Sequence, residues 1–101
     1  LNTNYSPKVT SCFEKDCFIF RVEVPGTKQD SLGLSFKNKG CIHLKGERLN
    51  PWSDESFQNG SYGKWSVDLN LPDTIHGFDF KKTQTTWLLG EIIITVPKII
   101  M

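Results

Sequence analysis

Hydrophobic and polar residues alternate over several short stretches of this chain, a pattern that predicts β-strands. The alternation covers residues 17–24, 32–36, 42–44, 65–71 and 92–96, with Gly, Pro, Asn and Asp between the stretches. No helical periodicity of comparable length occurs. Short strands separated by turn residues favour an all-β antiparallel sandwich, because a parallel α/β fold needs crossover helices between its strands.

The two strongest strand patterns lie near opposite ends of the chain. Residues 18–24 carry aromatic or β-branched side chains at every second position, and the pattern stops at Pro25-Gly26. Residues 91–96 follow Gly90, which can adopt the positive φ of a tight turn, and they end at Pro97, which has no N–H for pairing. We expect these segments to be buried strands of one closed sandwich.

Four motifs occur in a fixed order along the chain: R-V-E-V-P-G at 21–26, L-K-G-E-R at 44–48, L-N-L-P at 69–72 and G-E-I-I-I-T-V-P-K at 90–98. In this order they resemble the α-crystallin domain of small heat-shock proteins, over nearly the whole chain. The resemblance implies an immunoglobulin-like antiparallel β-sandwich formed by residues 1–101 as a single domain. It also implies action by protein–protein contact, as an ATP-independent holdase chaperone or a dimerising module.

Composition narrows the classes of partner and compartment. Twelve basic and eleven acidic residues give a net charge of +1, so electrostatics predicts neither a nucleic-acid nor a membrane partner. Three cysteines, an odd number, do not make a self-contained disulfide framework and favour a reducing compartment. We therefore predict an intracellular protein, cytoplasmic or nuclear. Because the sequence begins at Leu1 without the features of a signal peptide, we expect an excised domain of a longer protein.

Residue patterns for catalysis or metal binding are weak. His43 and His76 fall in different predicted elements, without a glycine-framed nucleophile nearby. Cys41 and His43 share one strand face, but two ligands do not complete a zinc site. Lys81-Lys82 is the only adjacent basic pair and is expected on a solvated edge. The sequence predicts no enzyme, no catalytic residue, no metal and no cofactor.

Residues 47–62 form a long polar segment that carries three aromatic side chains among turn residues: Trp52, Phe57 and Tyr62. Loops longer than about 12 to 15 residues are usually functional or disordered. In bacterial and plant-type small heat-shock proteins this segment holds a strand that swaps onto a second protomer. The resemblance therefore implies a candidate dimerisation strand, with the three aromatics at the dimer interface. The alternative is a loop that folds its aromatics back onto its own sandwich.

A second contact region follows from the incomplete closure of such a sandwich. Unpaired strand edges can accept an extended peptide, whose side chains fill the seam between the sheets. The resemblance implies that this seam lies between residues 32–36 and about 78–87. Its predicted lining residues form a peptide groove: Leu32, Leu34, Thr85 and Trp87. The alternative is that Leu32 and Leu34 are ordinary core residues.

One strand departs from the family pattern. Val67, Asp68 and Asn70 stand where plant-type members tend to carry interface arginines, so the chain resembles a divergent, plant-type-like member. We expect it to pair with another α-crystallin-domain protein or with itself. We also expect that arginine restored at Val67 and Asn70 weakens the native pairing without unfolding the domain. One alternative is a scaffold or adaptor in a nuclear regulatory complex. Another is a co-chaperone domain of the large heat-shock ATPase, which lacks the swapped loop and is therefore disfavoured by residues 47–62.

Overall fold

The computed structural model describes residues 5–38, 40–49, 62–72 and 77–99, which form an all-β antiparallel sandwich. Its strands are β1 (Lys8–Glu14), β2 (Cys17–Glu23), β3 (Gly33–Asn38), β4 (Cys41–Arg48), β5 (Gly63–Asn70), β6 (Gln84–Leu88) and β7 (Glu91–Pro97). Short 3₁₀ helices, Gln29–Ser31 and Phe80–Lys82, precede β3 and β6. No helix in these ranges is long and apolar enough to cross a bilayer. The predicted fold class is confirmed.

The strands divide into a four-stranded sheet, ordered β1-β2-β7-β6, and a three-stranded sheet, ordered β3-β4-β5. Within the four-stranded sheet, the two strands predicted most strongly from the sequence are direct neighbours, with Phe20 opposite Ile94. Within the three-stranded sheet, β4 is central and pairs with β3 and β5. Strands β1, β6, β3 and β5 therefore form the edges of their sheets.

The core lies between the sheets and is built from alternate residues of the central strands. Val22, Ile94 and Val96 are fully buried, and Ile42 of the facing sheet is equally inaccessible. On β5 the alternation at 65–71 matches burial, since Trp65, Leu69 and Leu71 are buried, the last just after the strand ends. Val67 shares their face but is only partly buried against the core.

Strand β1 is not indicated by the hydrophobic pattern of the sequence. Its sequence, K-V-T-S-C-F-E, contains few apolar residues, and only Val9 of this strand packs partly against the core. An edge strand with two largely exposed faces carries no strong alternation, so hydrophobic patterning cannot detect it. Strand β4 also extends well beyond the predicted 42–44. The alternation continues past Leu44, with Lys45 and Glu47 on the outer face and Gly46 buried, but glycine adds no apolar side chain to the pattern.

Glycine residues occupy turn positions at which the backbone has a positive φ. Gly90 has φ +73° in the β6–β7 hairpin, as its position before the last strand predicted. Its carbonyl accepts a hydrogen bond of 2.7 Å from the Val24 amide. Gly26, with φ +75°, follows Pro25 and accepts a hydrogen bond from the Leu49 amide at 3.0 Å. These bonds fix the end of the sandwich at which β2, β4 and the β6–β7 hairpin meet.

Candidate peptide-binding groove

The seam between β3 and β6 is an opening between the two sheets. Each strand is the last of its sheet, and neither has a second strand partner among the described residues. In an antiparallel ladder every second residue of an edge strand points its N–H and C=O away from the neighbouring strand. Both sides of this seam therefore offer backbone groups to an extended segment.

A cavity of about 230 Å³ lies in this seam, and we call it the β3–β6 groove. Residues of both sheets and of the segment just before β3 line it: Gln29, Leu32, Gly33, Leu34, Leu44, Thr85, Trp87 and Ile92. Leu44 and Ile92 form its floor, since they are only 1% and 6% exposed and belong to the central strands β4 and β7. The groove thus reaches the apolar core from the surface.

All four residues predicted for a peptide groove line this cavity, although they come from opposite halves of the chain. Leu32 and Leu34 form one wall, and Thr85 and Trp87 form the other. The two leucines also pack against the core and are partly buried, so they contribute to folding as well. Binding of a peptide by these residues stays a prediction.

An aromatic pair next to this seam was not predicted. The rings of Phe36 and Phe80 lie 5.0 Å apart between centroids, and Phe36 remains 43% exposed. Phe36 is two residues beyond Leu34 on β3, so strand alternation alone would have placed it on the groove side. Phe80 lies in a 3₁₀ helix, where period-two patterning gives no information.

Of the predicted dimer-interface residues, only Tyr62 lies within the described residues; Trp52 and Phe57 lie outside them. The Arg48 guanidinium lies 4.7 Å from the Tyr5 ring centroid and 5.2 Å from that of Tyr62. Tyr62 therefore contacts its own sandwich, as the alternative interpretation of the loop expects for this one residue. A dimerisation role for residues 47–62 stays a prediction.

The outer face of the three-stranded sheet carries a polar cluster at the position of one missing arginine. Asp68 lies 2.8 Å from Nδ1 of His43, directly opposite on β4, and accepts a hydrogen bond of 3.3 Å from Lys37 of β3. The hydrogen bond with His43, followed by that from Lys37, lowers the pKa of Asp68. This carboxylate thus joins all three strands of the sheet.

Metal-ligating and nucleophilic side chains do not converge within the described ranges. No group of three or more His, Cys, Asp or Glu residues is placed to hold a metal ion. Cys12, Cys17 and Cys41 are free thiols, and His76 lies outside the described residues. The absence of catalysis, metal and cofactor stays a prediction.

One sequence relative is the mitochondrial 26.5 kDa heat shock protein of Arabidopsis thaliana, which is 30% identical over 86 residues. The match covers 79% of this chain, whereas this chain spans only 37% of that protein. No protein-family model matches the chain. The name of the relative assigns that protein to mitochondria, and the cytoplasmic or nuclear location predicted here stays a prediction.

Solved small heat-shock proteins share the fold. Heat shock protein 16.0 from Schizosaccharomyces pombe gives a TM-score of 0.80 at 22% identity, covering 96% of this chain and 69% of that one. A small heat-shock protein from Xylella fastidiosa gives 0.76 at 24% identity, with coverages of 96% and 89%. HSP18.5 from E. histolytica gives 0.78 at 18% identity, with coverages of 94% and 89%. Sequence match and shared fold confirm the predicted resemblance: this chain has the α-crystallin fold of small heat-shock proteins and is similar in sequence to one of them.

Proposed function

We propose that this domain acts by protein–protein contact, as part of an ATP-independent holdase chaperone or dimerising module. The observation that carries the proposal is the β3–β6 groove, where an apolar floor lies between two strand edges that have no second strand partner in the described part of the chain. Such a site suits an unfolded or extended segment of a client or partner, since backbone hydrogen bonds supply affinity without sequence dependence.

A segment bound in the groove makes backbone hydrogen bonds to a strand edge and side-chain contacts with the groove walls. A segment added to the edge of β6 directs alternate side chains toward the Leu34 and Trp87 walls, where apolar groups leave water. The Thr85 hydroxyl, in the same wall, supplies one polar contact. Such recognition requires no catalytic group, metal or nucleotide.

Single substitutions in full-length protein test the groove. Trp87→Ala removes one wall, whereas Thr86→Ala alters an exposed neighbour on the other face of β6. Aggregation of a heated model enzyme, followed by light scattering, should be suppressed by native protein and by Thr86→Ala, and poorly suppressed by Trp87→Ala. Equal protection by both variants, each with native circular dichroism, would count against the groove as the client site.

We also propose that residues 47–62 hold together a dimer, of two copies or with another α-crystallin-domain protein. Three aromatics in a long polar segment support this, and the Xylella fastidiosa relative is described as having a distinct high-order structure. Deleting residues 50–60 should halve the mass measured by light scattering after chromatography. A Gly/Ser replacement of equal length controls for the shortened connection, and a dimer that survives both changes excludes this role.

A scaffold with one dedicated partner is the second candidate, because β5 has no arginine at Val67, Asp68 or Asn70. Val67 is partly buried against the core, so arginine there should cost more stability than arginine at Asn70. The expectation that both substitutions leave the domain folded stays a prediction. Asn70 is exposed and permits Asn70→Arg. Crosslinking and co-purification from the source tissue should give one stoichiometric partner, lost in Asn70→Arg, if the domain is a scaffold. A broad, heat-dependent set of clients instead favours the holdase.

A further inference from the structure

The geometry points to a charge preference in the β3–β6 groove: it should select extended peptides in which aliphatic residues alternate with acidic ones. This inference rests on the proposed function and names the ligand class of the same site. It depends on a second, polar hollow that lies beside β6, on the opposite face of that strand from the groove.

The polar hollow has a volume of about 490 Å³. Its lining contains two lysines, two threonines and a glutamine near the start of β6: Lys81, Lys82, Thr83, Gln84, Thr95 and Pro97. Gln84 and Thr95 are direct partners in the β6–β7 ladder. Because successive residues of a strand face opposite sides of its sheet, Gln84 lies on the face opposite Thr85, which lines the groove.

No carboxylate of the described residues neutralises the charges of this hollow. Neither Lys81 nor Lys82 forms an ion pair with any described residue, and both are exposed. Asp79, which precedes them in the chain, does not pair with them. Glu91 lies at the other end of β6 and accepts hydrogen bonds of 2.6 and 3.2 Å from Arg21. The Thr83 hydroxyl oxygen is buried here without a hydrogen-bond partner among the described residues.

A strand added to the outer edge of β6 would contact the groove with one of its faces and the polar hollow with the other. Its groove-side residues, at every second position, meet the apolar walls around Leu34 and Trp87. The intervening residues lie on the side of the polar hollow, where carboxylates pair with Lys81 and Lys82. Basic residues at those positions are repelled. The complementary ligand is therefore aliphatic on one face and acidic on the other, with its acidic residues near the start of β6.

Fluorescence anisotropy with short labelled peptides tests this preference. Isoleucine is kept at alternate positions, and the intervening positions are all Glu, all Ser or all Lys. A fourth peptide has the Ile and Glu residues of the first in two separate blocks. Each is titrated against native protein and Lys81→Gln/Lys82→Gln. The control, Lys8→Gln/Lys64→Gln, makes the same charge change on β1 and β5, the edge strands away from the groove.

We expect the alternating Ile/Glu peptide to bind about three- to tenfold more tightly than the Ile/Ser peptide at low salt, as two exposed ion pairs allow. The Ile/Lys peptide should bind more weakly than the Ile/Ser peptide. The peptide with Ile and Glu in separate blocks should bind more weakly than the alternating Ile/Glu peptide. The acidic preference should disappear in Lys81→Gln/Lys82→Gln and in high salt, and persist in the control variant.

Two results overturn the inference in distinguishable ways. If the Ile/Ser peptide binds and Trp87→Ala abolishes that binding, but the acidic preference is missing or unchanged in Lys81→Gln/Lys82→Gln, the charge preference fails and the groove remains. If no peptide binds at any salt concentration, the groove itself fails, and the charge preference fails with it.

Discussion

The indole N–H of Trp65 donates a hydrogen bond of 3.1 Å to the hydroxyl of Thr27, and both residues are buried. The bond joins β5 to the turn that follows Pro25-Gly26, across 38 residues of sequence. Trp65 is one of the large side chains of the core, and Thr27 supplies the hydroxyl that its ring nitrogen needs. This contact anchors the three-stranded sheet to the end of β2.

Thr27→Val should therefore destabilise the domain by about 1 to 3 kcal/mol, since it keeps the shape of the side chain but leaves a buried N–H without an acceptor. Denaturant unfolding measures the change. The same substitution in a Trp65→Phe background should cost much less, because the orphaned donor is gone. Equal costs in the two backgrounds would show that the hydrogen bond contributes nothing.

Gly46 makes room for the same indole. A methyl group at Gly46 would lie 2.7 Å from the Trp65 ring and 3.1 Å from a methyl of Leu32, in the groove wall. Since Trp65 is buried and held by Thr27, we expect Gly46→Ala to cost about 1 to 3 kcal/mol through overpacking.

Gly33→Ala is the matched control for Gly46→Ala. Its new methyl group would lie 2.8 Å from Cε of Lys45, near the flexible end of an exposed side chain that can move aside. It should therefore change the unfolding free energy much less. A comparable loss of stability in both variants would mean that crowding against Trp65 is not the cause.

The facing of β5 gives a third prediction. Leu69 is 2% exposed within the core, whereas its neighbour Asn70 is exposed. Leu69→Ala should cost about 2 to 5 kcal/mol, while Asn70→Ala should stay within about 0.5 kcal/mol of native. Chemical denaturation of the two variants checks this, and similar midpoints would contradict the assigned faces.

Strong alternation made β2, β5 and β7 predictable from sequence. Strand β7 buries Ile92, Ile94 and Val96, and a pattern of that strength leaves one strand face as its simplest explanation. Edge strands β1 and β6 bury few side chains, so burial imposes little pattern on them. The sequence of β6, Q-T-T-W-L, was assigned to a strand only through the family resemblance.

The β3–β6 groove could be predicted only because the family resemblance indicates which two strands flank it. Leu34 and Trp87 lie far apart in sequence, and no local pattern indicates that their strands flank one seam. Polar contacts on exposed faces were missed for a related reason. The link from His43 to Asp68 depends on the β4–β5 register, which is set by buried residues on the opposite face.

That link gives the domain a pH-dependent increment of stability. The hydrogen bond with His43, then that from Lys37, lowers the pKa of Asp68 below its ordinary value of 3.8. A carboxyl whose pKa is lower in the folded state stabilises the fold above its unfolded pKa, and the increment is lost as the pH falls through the folded pKa. Asp68→Asn should therefore be less stable than native protein near neutral pH, and the difference should vanish at pH values below the folded pKa.

The two partners can be separated by following the Asp68 carboxyl by NMR during an acid titration. Because His43 is the larger cause, His43→Gln should raise the pKa of Asp68 toward 3.8 by more than Lys37→Gln does. Both substitutions lie on the same outer face and leave the core untouched, so a change in folding does not confound the comparison. If Asp68 titrates identically in native protein and His43→Gln, the 2.8 Å contact does not stabilise the carboxylate, and the pH dependence must come from other groups.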